Sequence, residues 1–277
     1  MSRAPVGTPM QPSSAVHAQD RSGPNANRAT VLAVFAHPDD EAFGPGATLA
    51  TWVQQGSDVT VLTLTHGEGS TLGVTDAIDL AHARAQELEA SLRALGIERR
   101  LLLDLPDGGL DALPADELVG AISHVLRERR PEVLVTYHWN GITGHPDHRR
   151  TTWAVVRAAR DAVQALPGYC VTLFFWALPA TVTAALREHH AVELPAVAED
   201  LLVTVDARPG RSAQDRAMAA HASQGGAGPT IATRLAIQGG REYFVVRTLD
   251  GDTRDLAQLG LPEADPAGSC EAVADTC

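Results

Sequence analysis

The sequence predicts an α/β fold, a three-layer sandwich with helices on both faces of a mostly parallel sheet. Three observations predict it. Apolar runs such as Val31-Leu32-Ala33-Val34-Phe35 and Val133-Leu134-Val135-Thr136-Tyr137 are continuous rather than alternating, the pattern of strands buried on both faces. Stretches of helical periodicity separate these runs, so strand and helix alternate along the chain. Glycine and proline mark the junctions, as at Gly56, Gly96 and Pro167-Gly168.

Taken in order, residues 30–36 read as the first strand. The acidic turn His37-Pro38-Asp39-Asp40-Glu41 feeds a helix over roughly 41–55, with Gly44 and Gly46 in its opening turn. Residues 58–64 are the second strand, and 65–73 form a glycine-rich loop suited to a backbone that passes close to a ligand. A long helix over 76–95 carries Ala83, Leu88, Leu92 and Leu95 near helical spacing. Then come a short strand over 100–103, a turn-rich loop over 104–110, a helix over 115–129 with arginines at its negative end, and a fourth strand over 132–137. The segment Gly144-His145-Pro146-Asp147-His148 opens a helix that runs to about 166. A fifth strand over 171–176, a helix over 180–189, a strand over 201–205, a helix over 211–222, a flexible loop over 223–229 and a last strand over 242–247 complete the reading. A strand order of 3-2-1-4-5 places strands one and four side by side. The order reverses between them, and ligands bind outside the carboxyl ends of strands at such a point.

The chain has 277 residues and a formal charge of −12. That charge, with no basic cluster, argues against a nucleic-acid or anionic-membrane partner. Residues 29–261 read as one domain, flanked by polar, Pro- and Gly-containing extensions over 1–28 and 262–277 that are expected to be disordered. The extension at the start has no apolar core of a secretory signal, and no window reaches the length of a membrane span, so a cytoplasmic location is expected. Cys170, Cys270 and Cys277 are too few and too widely spaced for a disulfide framework.

The chemistry concentrates in two segments, each directly after a predicted buried strand. Adjacent carboxylates repel unless a positive charge lies beside them, and a divalent metal is the simplest one. Catalytic zinc takes three protein ligands and keeps a position open for water. His37 and Asp40 face one point if the turn between them is tight, and His148 is the natural third ligand. Asp39 then points to the water. Pro146 suits the first turn of a helix, which puts His145 and His148 about one turn apart on one side. One histidine binds metal and the other stays free for acid–base work, with Asp147 beside it to hold its tautomer. A lone Asp-Asp pair is most often a helix cap with a first-turn acid, but two such segments after two parallel strands argue for a shared site. Gly44-Pro45-Gly46 is not a dinucleotide fingerprint, because acidic residues occupy the strand-to-helix turn where a pyrophosphate would sit.

Ala36-His37-Pro38-Asp39-Asp40-Glu41 paired with Gly144-His145-Pro146-Asp147-His148 resembles the PIG-L/LmbE family of metal-dependent de-N-acetylases. Thr65-His66-Gly67-Glu68, the Arg84-x-x-Glu87 helix, Leu105-Pro106-Asp107-Gly108-Gly109-Leu110, His221-x-Ser223-Gln224 and Glu242-Tyr243-Phe244 agree with it, so the likeness spans roughly residues 30–247. The resemblance implies a Rossmann-like fold and hydrolysis of an N-acetyl group on an N-acetylglucosamine moiety by a zinc-bound water. It implies His37, Asp40 and His148 as ligands, Asp39 as general base, and His145, in its protonated form, stabilising the oxyanion or protonating the amine. Asp147 joins them as a catalytic residue. His66, Glu68, Tyr137, Arg149 and His221 are the candidates for substrate contact. Iron(II) suits the same ligands. The expected partner is a small N-acetylated sugar or glycoconjugate. An amidase acting on another N-acyl or thiol-conjugate substrate would use the same site, whereas a non-catalytic metal-binding module would need neither Asp39 nor His145.

Overall fold

A computed structural model describes residues 28–71, 77–252 and 265–266. Seven strands form one sheet in the order β3-β2-β1-β4-β5-β7-β6. β1 (Thr30–Phe35), β2 (Asp58–Thr65), β3 (Arg99–Leu105), β4 (Val133–Tyr137) and β5 (Val171–Ala177) are parallel, in the 3-2-1-4-5 order that puts β1 beside β4. β7 (Arg241–Leu249) adds to β5 antiparallel, and β6 (Val203–Asp206) closes that edge. Both continuous apolar runs are wholly buried, Val31–Phe35 in β1 and the whole of β4, as strands covered on both faces must be. β1 pairs with β4 from Val31 opposite Val133 to Ala33 opposite Val135. The two chemically loaded segments therefore leave neighbouring strands at the same end of the sheet.

The helices are α1 (Asp40–Phe43), α2 (Gly46–Gln54), α3 (Ala77–Leu95), α4 (Ala115–Arg129), α5 (Pro146–Ala165), α6 (Ala180–His190), α7 (Arg211–Ala220) and α8 (Gly228–Gln238). Two differ from expectation. The single helix over 41–55 is two helices broken at Gly44-Pro45. Pro45 brings no N–H and disfavours the α region for the residue before it, and Gly44 sits at φ −90°, ψ −120°. Only glycine fits there, since a Cβ would stand 2.5 Å from the Asp40 carbonyl oxygen. The flexible loop over 223–229 is instead a short 3-10 turn (Ala222–Ala227) leading into α8. Pro229 lies in the first turn of α8, where a missing N–H costs nothing, so proline opens a helix here rather than ending one.

The start of the long helix at Asp76, the expected disorder at both ends, and Cys270 and Cys277 lie outside the described residues, apart from Arg28, Asp265 and Pro266. Asp265 ion-pairs with buried Arg150. Among the described residues, no helix is long and apolar enough to cross a membrane.

Candidate metal centre

His37 follows β1 and His148 lies in the first turn of α5, just beyond β4. Their rings meet: His148 Nε2 is 3.3 Å from His37 Nδ1. Asp40 completes the group, 3.3 Å from His148 Nε2 and 3.5 Å from His37 Nδ1. Donors about 2.0–2.1 Å from a tetrahedral ion stand roughly 3.3–3.4 Å from one another; the two nitrogens have that spacing, and the Asp40 carboxylate meets it with Oδ1 toward His148 and Oδ2 toward His37. Their lone pairs agree. His148 Nδ1 donates to the Gly141 carbonyl oxygen at 3.1 Å, which leaves Nε2 as an acceptor. His37 Nε2 donates to carboxylates, Asp107 at 3.0 Å and Asp147 at 3.2 Å, which leaves Nδ1 free toward the centre. A ligand histidine held from behind by a carboxylate is the usual arrangement around zinc.

The electrostatics support a cation at this point. Burial alone would lower His37, but Asp107, Asp147 and Asp40 outweigh it and hold the ring well above its ordinary value. Burial would raise Asp40, yet His148, His37 and the Tyr137 hydroxyl keep it ionised and well below the usual carboxylate range. Burial, with positive charge at His37 and His145 adding to it, lowers His148 to about 4, so its imidazole is neutral and available to a metal.

Asp39 stands beside the centre with its carboxylate 16% exposed and 2.9 Å from the Arg84 guanidinium. Burial and the adjacent Asp40 charge push it up to about 7 against the pull of Arg84. Arg84 also donates to the carbonyl oxygens of Pro38 and, at 2.8 Å, Gly67. Gly67 has φ +70°, and a Cβ there would stand 2.3 Å from the guanidinium, so glycine is needed for this close approach. Arg84 ties two cleft loops together.

His145 also borders the centre, its ring 4.9 Å from both His37 and His148. It is the N-cap of α5: Nδ1 accepts the Asp147 N–H at 3.2 Å, so the ring proton sits on Nε2. Burial and the neighbouring His37 lower its pKa. With Nδ1 occupied as an acceptor, the ring can donate through Nε2. Asp147 does not hold His145 by its carboxylate. That carboxylate is fully buried against His37 and takes the N–H groups of Gly108 at 2.8 Å and Leu110 at 3.1 Å.

The candidates for substrate contact divide. Tyr137 is wholly buried, stacks on His148 with centroids 4.0 Å apart, accepts the Ala36 N–H at 2.7 Å and donates to Asp40. It braces His148 and Asp40 from behind and offers no exposed surface. His221 is also buried, 2.7 Å from Glu41. Glu68 takes the Asp107 N–H at 3.1 Å. His66, partly exposed, pairs with Asp104 at 2.7 Å, and half-buried Arg149 lies against Gly141. Reasoning from sequence gave no role to Asp107, whose carboxylate links His37 to the Gly69 N–H at 2.8 Å. The turn Asp107-Gly108-Gly109 was the available signal.

Comparisons with known proteins point to one family. A family model described as GlcNAc-PI de-N-acetylase, PIG-L, matches residues 32–159. The 1D-myo-inositol 2-acetamido-2-deoxy-alpha-D-glucopyranoside deacetylase of Salinispora arenicola is 34% identical over 234 residues, covering 70% of this chain and 75% of that one. The enzyme of the same name from Rhodococcus erythropolis is 35% identical over 245 residues, covering 72% and 82%. Among solved structures, the N,N'-diacetylchitobiose deacetylase of Pyrococcus horikoshii superposes with a TM-score of 0.61 at 23% identity, over 84% of this chain and 88% of that one. The zinc-inhibited form of teicoplanin deacetylase Orf2 does so with 0.58 at 21%, over 80% and 99%. At these identities the two structures speak to the fold alone.

Proposed function

The chain belongs to the PIG-L family of de-N-acetylases, and from that premise we propose that it hydrolyses the acetamide of an N-acetylglucosaminyl conjugate at the His37–Asp40–His148 centre. An N-acetylglucosaminyl-inositol glycoside, the substrate named for the relatives, is the first to test. One observation carries the reading: two imidazole nitrogens and a carboxylate converge at 3.3–3.5 Å, flanked by one acid and one further imidazole. The donor set suits zinc, held by His37 Nδ1, Asp40 and His148 Nε2, with iron(II) as a second occupant.

When bound there, zinc supplies Lewis acidity, bringing the pKa of a water to about 7 and polarising the acetyl carbonyl. The protein does the rest. Asp39, ionised and steadied by Arg84, takes the proton of the attacking water on its carboxylate. His145 donates from Nε2–H to the developing oxyanion, a contact worth about 3 kcal/mol in comparable sites. The proton held by Asp39 then passes to the departing nitrogen, which leaves as a free amine beside acetate.

Purified protein, stripped with chelator and reloaded with zinc, tests this on a panel of N-acetylglucosaminyl-inositol, N-acetylglucosamine and N,N'-diacetylchitobiose. Amine release that needs zinc and is fastest on the inositol conjugate is the expected result; no release from any of the three sinks the reading. Asp39→Asn should keep its metal and lose about 10²–10⁴ in kcat. Near-native turnover in that variant would remove Asp39 as the base.

A further inference from the structure

Asp39 has a backbone conformation that calls for a cause. Its φ is +124° and its ψ −28°, a region unfavourable for a residue with a Cβ. It occupies the N-cap position of α1, where an aspartate ordinarily folds its carboxylate back onto the first amides of the helix. Here the side chain makes no capping bond. It turns outward to Arg84 and the cleft.

What holds the backbone is Glu41. The Asp39 N–H donates to Glu41 Oε2 at 2.9 Å. Glu41 is completely buried, and its other oxygen, Oε1, takes the Ser91 hydroxyl at 2.5 Å and His221 Nε2 at 2.7 Å. His221 arrives from the far end of the chain, just after α7, with its side chain fully buried. Its Nδ1 has no hydrogen-bond partner among the described residues, so the ring's one side-chain hydrogen bond there is to Glu41. None of these three groups reaches the cleft. Three consecutive acids would otherwise repel one another, and the structure sets a separate group against each: Arg84 on Asp39, the ligand histidines on Asp40, His221 on Glu41.

We propose that His221 and Glu41 are a positioning pair for the reaction: His221 anchors Glu41, Glu41 pins the Asp39 amide, and the Asp39 carboxylate is thereby kept facing the cleft instead of capping its own helix. The proposal rests on Asp39 being the proton acceptor. A base displaced by about 1 Å loses on the order of 10²-fold in rate while the ligands stay where they are.

The test compares zinc-loaded His221→Leu and His221→Gln with wild type on the N-acetylglucosaminyl-inositol substrate. Glutamine places an amide N–H near the position of Nε2. His221→Leu should lose about 10²-fold in kcat, with KM within about threefold and one zinc per chain retained, and His221→Gln should recover at least tenfold of that loss. A kcat within about fivefold of wild type for His221→Leu overturns the proposal. So does a joint loss of zinc and turnover that His221→Gln fails to restore, since that marks a packing role. If His221→Leu does not fold, Glu41→Gln takes its place under the same fivefold criterion. A crystal structure of the metal-free leucine variant gives a readout independent of turnover. The Asp39 carboxylate folded onto the Glu41 or Ala42 amide supports the pair, and an unmoved carboxylate overturns it, even if wild type proves inactive on this substrate.

Discussion

The two arms of the candidate metal centre are built in opposite ways. His145, Asp147 and His148 sit at the start of α5, a twenty-residue helix with proline at its first position. That arm is largely self-supporting: His145 caps the helix, Thr152 returns a bond to the His148 carbonyl at 3.0 Å, and the burial of one long face holds the whole helix in place. His37, Asp39 and Asp40 sit on a turn and a helix of four residues, too short to be stable alone. That arm is fixed by side chains from elsewhere. Arg84 reaches from α3, Tyr137 from β4 and Ser91 from α3. Gln214 of α7 takes the carbonyl oxygens of Ala42 at 3.0 Å and Gly44 at 3.1 Å, and Arg234 of α8 takes that of Phe43. Glu242 of β7 accepts the Thr48 N–H at the start of α2. The last third of the chain brings no ligand, yet it grips the helix that carries one.

The contrast makes the arms differ in what breaks them. Arg84→Met strips a buried acid and two carbonyl groups of their partner and should destabilise the metal-free protein by about 3–5 kcal/mol. Pro146→Ala on the other arm should cost less than about 1 kcal/mol. Urea unfolding of the two variants measures both, and equal losses would end the distinction. Tyr137→Phe divides the arms within one residue, because the ring stacked on His148 stays while the hydroxyl on Asp40 and the Ala36 amide goes. Zinc affinity, measured by competition with a chromophoric chelator, should fall about tenfold; an unchanged affinity would mean that Asp40 needs no outside support.

The smallest effect is at Glu242, whose carboxyl burial raises against the opposing pull of Thr48 and Arg234. A carboxyl raised in the folded state binds its proton more tightly there than in the unfolded chain. It therefore loses stability as pH rises from the unfolded value of about 4.3 toward the folded one. Glu242→Gln cannot lose that proton. Its stability relative to wild type should grow as pH rises above about 4. A difference that is flat with pH would show that the α2 cap does not titrate.

How much of this was legible in the chain follows the same division. On the HPDH arm the proline and the histidine spacing could be read as local features of one helix, whereas the Asp147 carboxylate, expected on His145, lies against His37. On the HPDDE arm the meeting of His37 and Asp40 with His148 was legible, but the groups that hold the turn were not. Tyr137 and His221 looked like cleft residues because aromatic and imidazole side chains near a motif suggest binding, and nothing in the sequence shows that both are buried. The break at Gly44-Pro45 was visible as a pair of helix-averse residues but was placed inside an opening turn. α8 was missed because its glycines and proline are also loop residues; the apolar face that follows Pro229 was the overlooked signal.

By itself, then, the sequence determined the alternation of strand and helix and the identity of the residues at the two strand ends, because these depend on periodicity and on short-range steric rules. Tertiary structure alone decided which nitrogen of each histidine faces the centre, that Asp147 and Asp107 serve His37, and that Glu41 and His221 lie beneath Asp39. Those outcomes are set by buried bonds between residues as many as 180 positions apart. A desolvated polar group must find its partner wherever the packed chain places one, and no local pattern records where that will be.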